Sequence, residues 1–159
     1  MNIALVAHDG RKKELIEWVT YNYKVLSENK LHATGTTGRL IREALMKLDN
    51  TFSDEEEKKK FYEYKVTCLK SGPLGGDQQI GAMIAEGKID VLIFFCDNLI
   101  TQGHQTDVSA LTRLASLYNI AFATNRTTAD MILTSPLFKD ENYKRVMPEA
   151  IENYQNRKL

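Results

Sequence analysis

Five short apolar segments, separated by amphipathic stretches, constrain the fold of this chain more than any other feature of its sequence. Each apolar segment is about the length of one strand, and each intervening stretch places apolar residues at helical spacing. The pattern predicts strands over 3–7, 31–34, 64–69, 91–95 and 120–124. It predicts helices over 12–26, 37–48, 78–86, 107–118 and 128–133, with one more after Pro148.

The alternation of strands and helices indicates an α/β fold. Nearly continuous apolar strands between helices are typical of a parallel sheet that is covered on both faces. Right-handed crossover connections then favour an open three-layer sandwich, with a five-stranded parallel sheet between two layers of helices. The length of 159 residues fits a single domain over 1–159, because the usual expectation is roughly 150 residues per domain.

Composition argues against several classes of function. The chain has 21 Lys and Arg against 21 Asp and Glu, and this balance argues against binding nucleic acid or a membrane surface through bulk positive charge. The longest apolar run, VLIFF at 91–95, is far shorter than the roughly 20 residues that cross a bilayer. Cys68 and Cys96 predict neither a disulfide scaffold nor a zinc site. We expect a cytoplasmic protein without a signal peptide.

Polar residues follow every predicted strand. Parallel strands end at one rim of the sheet, and ligands of open α/β folds bind beyond that rim. The sequence places there the segments HDG at 8–10, TGTTG at 34–38, SGPLGGDQQ at 71–79, CDN at 96–98 and TNR at 124–126. This coincidence predicts a ligand site at the carboxyl ends of the strands.

The TGTTG segment predicts a phosphate site. Its glycines let the backbone approach a ligand closely, its hydroxyls supply donors, and the helix that follows offers free N–H groups and a favourable dipole. The alternative is an ordinary turn in which one threonine caps the helix. The candidates for the phosphate cradle are Thr34, Gly35, Thr36, Thr37, Ser71, Gly72 and Lys12.

Asp77, His8 and His104 are the candidates for chemistry at the same rim. Asp77 follows three glycines and a proline where a helix begins, so it is either a helix N-cap or a general base that points into the cleft. Its use as a base requires burial or nearby negative charge, since an ordinary aspartate is a weak base at neutral pH. His8 and His104 are either structural donors or groups that polarise a carbonyl oxygen.

The segment 50–60, NTFSDEEEKKK, interrupts the pattern with dense charge. Ser53 followed by Glu56 matches a capping box, and Glu55 with Lys59 forms a favourable i,i+4 pair. We therefore interpret the segment as an additional, solvated helical turn rather than as an interaction tail.

Four segments together resemble the methylglyoxal synthases: IALVAHD, ATGTTGRLI, SGPLGGDQQIGAMIAEGKIDVLIFF and the later ATN. The resemblance covers nearly the whole chain, and SGPLGGDQQIGA is its most specific part. It implies a Rossmann-like parallel sheet and the conversion of dihydroxyacetone phosphate to methylglyoxal and inorganic phosphate. It also implies catalysis without a metal or an organic cofactor, a homohexamer, and inhibition by phosphate.

The resemblance assigns roles to individual residues. Asp77, in GGDQQ, matches the catalytic base, and His8 matches the histidine that closes the first strand. Lys12 matches the lysine four positions further on, and Thr34, Gly35, Thr36 and Thr37 match the phosphate loop, to which Ser71 and Gly72 add. His104 matches the second histidine, whereas Asp97 and Asp107 match aspartates with supporting roles. Arg113 and Arg157 match arginines near subunit contacts and near the C-terminus.

The chain departs from the family pattern at three places, and two other functions remain open. Segment 50–60 is an insertion, 100–105 lacks a proline that usually precedes the histidine, and Cys96 replaces an aromatic residue. One alternative is a non-catalytic regulatory domain of the same fold that binds a phosphorylated effector. It would keep TGTTG without needing Asp77 and two histidines. The other is a hydrolase or cyclohydrolase on this scaffold, and the GGDQQ context argues against it.

Overall fold

The computed structural model of the protein describes residues 1–100, 103 and 105–157. Its five strands form one entirely parallel sheet in the order β3-β2-β1-β4-β5, which confirms the predicted sheet. The strands are β1 Asn2–Ala7, β2 Lys30–Thr34, β3 Val66–Leu69, β4 Val91–Phe95 and β5 Ala121–Ala123.

Helices cover both faces of the sheet, as the pattern predicts. They are α1 Lys12–Tyr21, α2 Tyr23–Ser27, α3 Gly35–Leu48, α4 Glu55–Lys65, α5 Gly76–Ala85, α6 Gln105–Leu117, α7 Arg126–Thr134, α8 Pro136–Lys139 and α9 Glu149–Gln155. Among the described residues, no helix combines the length and the apolar character that a membrane span requires.

The side chains of β1 and β4 alternate between two apolar cores. Ile3 and Leu5 point into a core that is completed by α1, α2, α3, α4, α7 and α8. Ala4 and Val6 point into a second core that is formed with α5 and α6. Because both faces of the central strands are buried, these strands have no polar positions, which explains their continuous apolar sequence.

The observed element boundaries differ from the predicted ones where local bonds outweigh periodicity. The helix expected over 12–26 divides at Asn22, whose side-chain amide donates to the carbonyl oxygen of Trp18 at 3.0 Å. Helix α3 begins at Gly35 instead of residue 37, so TGTTG forms its first turn. Strand β3 begins at Val66 instead of residue 64, because α4 continues to Lys65.

The charged segment contributes a solvated helical turn, as its charges suggested, but this turn is the start of a longer helix, α4, which runs over Glu55–Lys65. The N-cap of α4 is Asp54 instead of Ser53, and its carboxylate accepts the N–H groups of Glu56 at 2.8 Å and Glu57 at 3.4 Å. Tyr62, beyond the charged run, is 1% exposed and lies in the main core. Tyr62, with Phe61 packed against the same core, therefore attaches the helix to the fold.

A buried carboxylate secures this attachment. Asp49 accepts hydrogen bonds from the hydroxyl of Tyr62 at 2.7 Å and from the hydroxyl and N–H of Thr51 at 2.7 and 2.9 Å. Burial by itself raises the pKa of Asp49, but these donors and the nearby Lys58 outweigh burial and leave the pKa below its ordinary value. Burial and the bond to Asp49 also raise the pKa of Tyr62.

We predict that Tyr62→Phe lowers the free energy of unfolding at pH 7 by about 1–2 kcal/mol, because the buried carboxylate loses a donor. Tyr64→Phe, at a ring that is 71% exposed, is the matched control and should change it by less than about 0.5 kcal/mol. Urea denaturation measures both values.

The pH dependence follows from the lowered pKa of Asp49. A depressed pKa stabilises the fold above the unfolded-state value, and this contribution is lost as the pH falls through the folded-state value. The difference between Tyr62→Phe and the unchanged protein should therefore shrink below the ordinary pKa of 3.8. Equal stability of the two proteins at pH 7 would contradict the proposed attachment.

Candidate active site

The loops after the first four strands are joined by backbone hydrogen bonds at one rim of the sheet. The N–H of Gly35, after β2, donates to the carbonyl oxygen of Lys70, after β3, at 3.1 Å. The N–H of His8, after β1, donates to the carbonyl oxygen of Phe95, at the end of β4, at 3.2 Å. Within each of these two pairs, the segments that follow neighbouring strands are therefore in direct contact.

The ring of His8 is buried and accepts a hydrogen bond at Nδ1. Its ring is 5% exposed and packs edge-on against Phe94, with 5.0 Å between ring centroids. The N–H of Asp97 donates to Nδ1 of His8 at 2.9 Å. A nitrogen that accepts a hydrogen bond carries no proton, so neutral His8 has its proton on Nε2. Such a ring can donate to a ligand oxygen through Nε2.

Asp97 is packed against the start of the first helical turn. A Cβ atom at Gly10 would lie 2.7 Å from Oδ2 of Asp97, so only glycine fits there without moving the carboxylate. Oδ1 of Asp97 accepts the N–H of Leu99 at 3.2 Å. The side chain of Asp97 thus stabilises the turn at 97–99, while its N–H orients His8.

Asp77 lies in the first turn of α5 and is 2% exposed. The N-cap of α5 is Gly75, with φ at +99°, so the alternative of Asp77 as a helix cap is wrong. Asp77 and Asp107 line the same groove, of about 270 Å³, between α5 and α6. Burial raises the pKa of Cys96 to about 11, Arg11 opposes this rise, and the carboxylate of Asp77 adds to it.

The threonines of TGTTG divide between the core and the surface. Thr34 is the N-cap of α3 but makes no capping bond with its side chain, so the alternative of a simple threonine cap is not supported. Thr34 and Thr37 are 5% and 1% exposed, whereas Thr36 is exposed. The first backbone N–H groups of a helix lack acceptors within the helix. The start of α3 is therefore suited to an anion.

Ser71 and Gly35 bring the two parts of the predicted cradle into contact. Gly35 has φ at +44°, and a Cβ atom on it would lie 2.8 Å from Cα of Ser71. Another residue at position 35 would be strained in its backbone and would push the loops apart. The loop after β3 therefore lies directly against the first turn of α3.

Gln79 holds the loop after β3, a role that sequence reasoning missed. Its side-chain Oε1 accepts the N–H of Lys70 at 2.8 Å, and the N–H of Gly76 donates to the carbonyl oxygen of Ser71 at 2.9 Å. A Cβ atom on Gly76 would collide with the carbonyl oxygen of Lys70. The GGDQQ run contained the only signal for these roles. Its second glutamine lies on the helix that carries Asp77.

Lys12 supplies a cation near the rim. Its Nζ pairs with the carboxylate of Asp9 at 2.6 Å, and the side chains are 24% and 95% exposed. The hydrogen bond and the charge of Lys12 lower the pKa of Asp9. An ion pair this exposed contributes little to stability, so an anion can compete with Asp9 for the ammonium group.

The two predicted arginines lie in other parts of the described structure. His104 lies outside the described residues. Arg113 lines another groove, of about 460 Å³, with Ser116, Leu117 and Pro148. The guanidinium group of Arg157 lies 3.7 Å from the centre of the Tyr154 ring.

Comparisons with known proteins agree with this geometry. A family model described as the MGS-like domain matches residues 14–124, and the fold and the site define that class of domain. Methylglyoxal synthase from Maridesulfovibrio salexigens is 51% identical over 159 residues, covering 99% of this chain and 97% of that protein. The chain belongs to the methylglyoxal synthase family.

Two further relatives also match most of the chain. Methylglyoxal synthase from Pseudoalteromonas atlantica is 50% identical over 147 residues, or 92% of this chain and 96% of that protein. The crystal structure of methylglyoxal synthase from Elizabethkingia anophelis NUHP1 superposes with a TM-score of 0.80 at 40% identity, covering 99% of this chain and 91% of that one. The likeness therefore includes every element that forms the rim.

We predict that Gln79→Leu weakens binding of inorganic phosphate about five- to tenfold, because Lys70 loses its acceptor and the Ser71 loop loses its support. Gln155→Leu, on the exposed helix α9, is the matched control and should leave the affinity unchanged. Isothermal titration calorimetry measures both dissociation constants. An unchanged affinity for Gln79→Leu would show that the loop does not depend on this bond.

Proposed function

We propose that this chain is a methylglyoxal synthase, a carbon–oxygen lyase that converts dihydroxyacetone phosphate to methylglyoxal and inorganic phosphate without a metal or a cofactor. One observation supports this proposed reaction most directly. The helix that holds the buried Asp77 also anchors, through Gln79, the loop that lies against the anion-binding turn of α3. A base and an anion site thus share one rigid support, as a small phosphate ester requires. The names of the relatives support the proposal.

The phosphate group would bind at the first turn of α3. There it would accept hydrogen bonds from the N–H groups of Thr36 and Thr37 and from Ser71 and Gly72, in line with the preference of helix N-termini for anions. Lys12 would exchange its exposed partner Asp9 for the phosphate and supply a point charge. Thr34 and Thr37 are buried, so their side chains would shape the turn while Thr36 faces the ligand.

Asp77 would remove a proton from the hydroxymethyl carbon, on the side of the carbonyl away from the phosphate. The electron pair of that C–H bond then forms the carbon–carbon double bond of an enediolate. The carbonyl oxygen gains negative charge, and the Nε2–H of His8 would donate to it. His104 would be a second donor, and Asp97 and Asp107 would support His8 and Asp77 in these positions.

Elimination would complete the reaction. The proton of the terminal hydroxyl passes to the central oxyanion, and the terminal carbon becomes an aldehyde. The carbon–carbon double bond shifts to the phosphate-bearing carbon, and that carbon's bond to oxygen breaks to release phosphate. The C–O bond must lie perpendicular to the enediolate plane for this overlap, and a rigid cradle favours that angle. The enol that remains becomes methylglyoxal by proton transfer, so atoms and charge balance.

The assembly and the location belong to the same proposal. We infer a cytoplasmic homo-oligomer, a hexamer by family resemblance, in which phosphate acts both as product and as inhibitor. Leu74 and Leu99 support assembly, because these apolar side chains are 73% and 97% exposed beside the site.

The unchanged protein should release methylglyoxal from dihydroxyacetone phosphate, detected as the dicarbonyl product. We predict that Asp77→Asn lowers this rate by about a thousandfold or more, because the amide cannot accept the proton. Asp140→Asn, at an exposed aspartate, is the control and should retain full activity. Asp77→Asn should still bind inorganic phosphate within a few-fold of the unchanged protein. An active Asp77→Asn enzyme would remove the assigned base.

We predict that inorganic phosphate inhibits the enzyme cooperatively, with a Hill coefficient above 1, because equivalent sites would be coupled across subunits. Initial rates over a range of phosphate concentrations, at several enzyme concentrations, measure this coefficient. Hyperbolic inhibition at every enzyme concentration would argue against coupled subunits.

A further inference from the structure

A single peptide unit at the rim is hydrogen-bonded at both of its polar atoms by side chains from the start of the fold. The carbonyl oxygen of Cys96 accepts Nη1 of Arg11 at 2.9 Å. The N–H of the same peptide unit, which belongs to Asp97, donates to Nδ1 of His8 at 2.9 Å. A guanidinium group and an imidazole ring are thereby connected through one amide.

Arg11 is itself fixed in place. Its Nε and Nη2 atoms both lie 2.6 Å from Oε2 of Glu14, one turn further along the chain. Its guanidinium carbon lies 5.9 Å from the centre of the Phe95 ring. With two nitrogens held by Glu14, the remaining one points at the carbonyl of Cys96. The arginine is therefore oriented towards the peptide before any ligand arrives.

The charge on Arg11 affects the other end of that amide. A cation that donates to a carbonyl oxygen polarises the peptide group and makes its N–H a stronger donor, as in other hydrogen-bond chains. A stronger donor at Nδ1 of His8 favours the tautomer with the proton on Nε2. It also fixes the orientation of the ring about its bond to the backbone.

We propose that Arg11 is a positioning residue for His8, acting through the peptide unit between Cys96 and Asp97. It holds the imidazole as the Nε2–H tautomer and in one orientation, so that Nε2–H is ready for the developing oxyanion. The role in catalysis rests on the proposed function, whereas the tautomer of His8 is a property of the free protein and can be measured without any substrate.

A purely structural role for Arg11 is the competing explanation. The side chain joins the first helical turn to the end of β4, and its loss could simply loosen the rim. Such loosening would weaken substrate binding and stability together. It would not preferentially move the proton of one imidazole between its two nitrogens, so the tautomer is the discriminating measurement.

The experiment is ¹⁵N NMR of the imidazole rings in protein labelled at its three histidines, with His8→Gln identifying the His8 signals. The unchanged protein should show His8 with an unprotonated Nδ1 and a protonated Nε2. Arg11→Met keeps the aliphatic stem but removes the donor, and should give intermediate shifts that indicate mixed tautomers. Lys13→Met, at a neighbouring cation that is 91% exposed, removes the same charge and should leave the spectrum unchanged.

Kinetics provide the second readout. Arg11→Met should lower kcat about tenfold while KM for dihydroxyacetone phosphate changes by less than about twofold, since the guanidinium group of Arg11 is bonded to Glu14 and to the carbonyl of Cys96. Arg11→Lys retains one N–H donor for the carbonyl of Cys96 and should recover kcat to within about threefold of the unchanged enzyme. A loss confined to KM would contradict the proposal.

Two outcomes of the spectra would overturn it: an unchanged His8 tautomer in Arg11→Met, or an equal change in Lys13→Met. If Arg11→Met does not fold, Glu14→Gln takes its place and should give a smaller shift in the same direction, and an unchanged spectrum there has the same consequence. Absence of methylglyoxal formation by the unchanged protein would contradict the proposed function alone, because the spectra would still decide the role of Arg11.

Discussion

The geometry of the site depends on how the backbone of Lys70 and Ser71 is held after β3. The carbonyl oxygen of Lys70 accepts the N–H of Gly35, its N–H donates to Gln79, and the carbonyl oxygen of Ser71 accepts the N–H of Gly76. Two helix N-termini, those of α3 and α5, are thereby joined through two residues. Because glycines stand at both close approaches, the anion-binding turn and the helix of Asp77 keep one fixed separation. Elimination, which depends on the angle of one C–O bond, requires this rigidity more than it requires strong individual contacts.

Anion binding and proton transfer would use different groups at this rim. In the proposed function, backbone N–H groups and Lys12 bind the anion, and among the described residues Lys12 is paired with the exposed Asp9. Proton transfer is assigned to Asp77, which is buried. His8 accepts a hydrogen bond from the N–H of Asp97 at Nδ1, so the proton of the neutral ring is on Nε2. A neutral donor can stabilise an enediolate without pairing with the base, so the two tasks do not interfere.

The sequence predicted the sheet and the rim because both follow from burial. A strand such as β4 is apolar at every position when both of its faces are covered, and the polar segments must then follow the strand ends. Contacts between distant residues were not predictable in this way. The bond from Arg11 to the carbonyl of Cys96 spans 85 positions, and no local pattern marks it. The length of α4 was underestimated for a related reason. Its dense charge indicated a solvated turn, and no local pattern showed that Tyr62 lies in the core.

The charged helix α4 leaves the rim intact because of strand direction. Helix α4 leads into the amino end of β3, whereas the site lies at the carboxyl ends of the strands. Tyr62 and Asp49 attach this helix at the C-terminal end of α3, away from the first turn of α3 at Gly35. The segments that lead into the amino ends of the strands can therefore vary in length and charge while the carboxyl ends stay unchanged. The position of a change relative to strand direction, and not its size in the sequence, decides whether it can alter the chemistry.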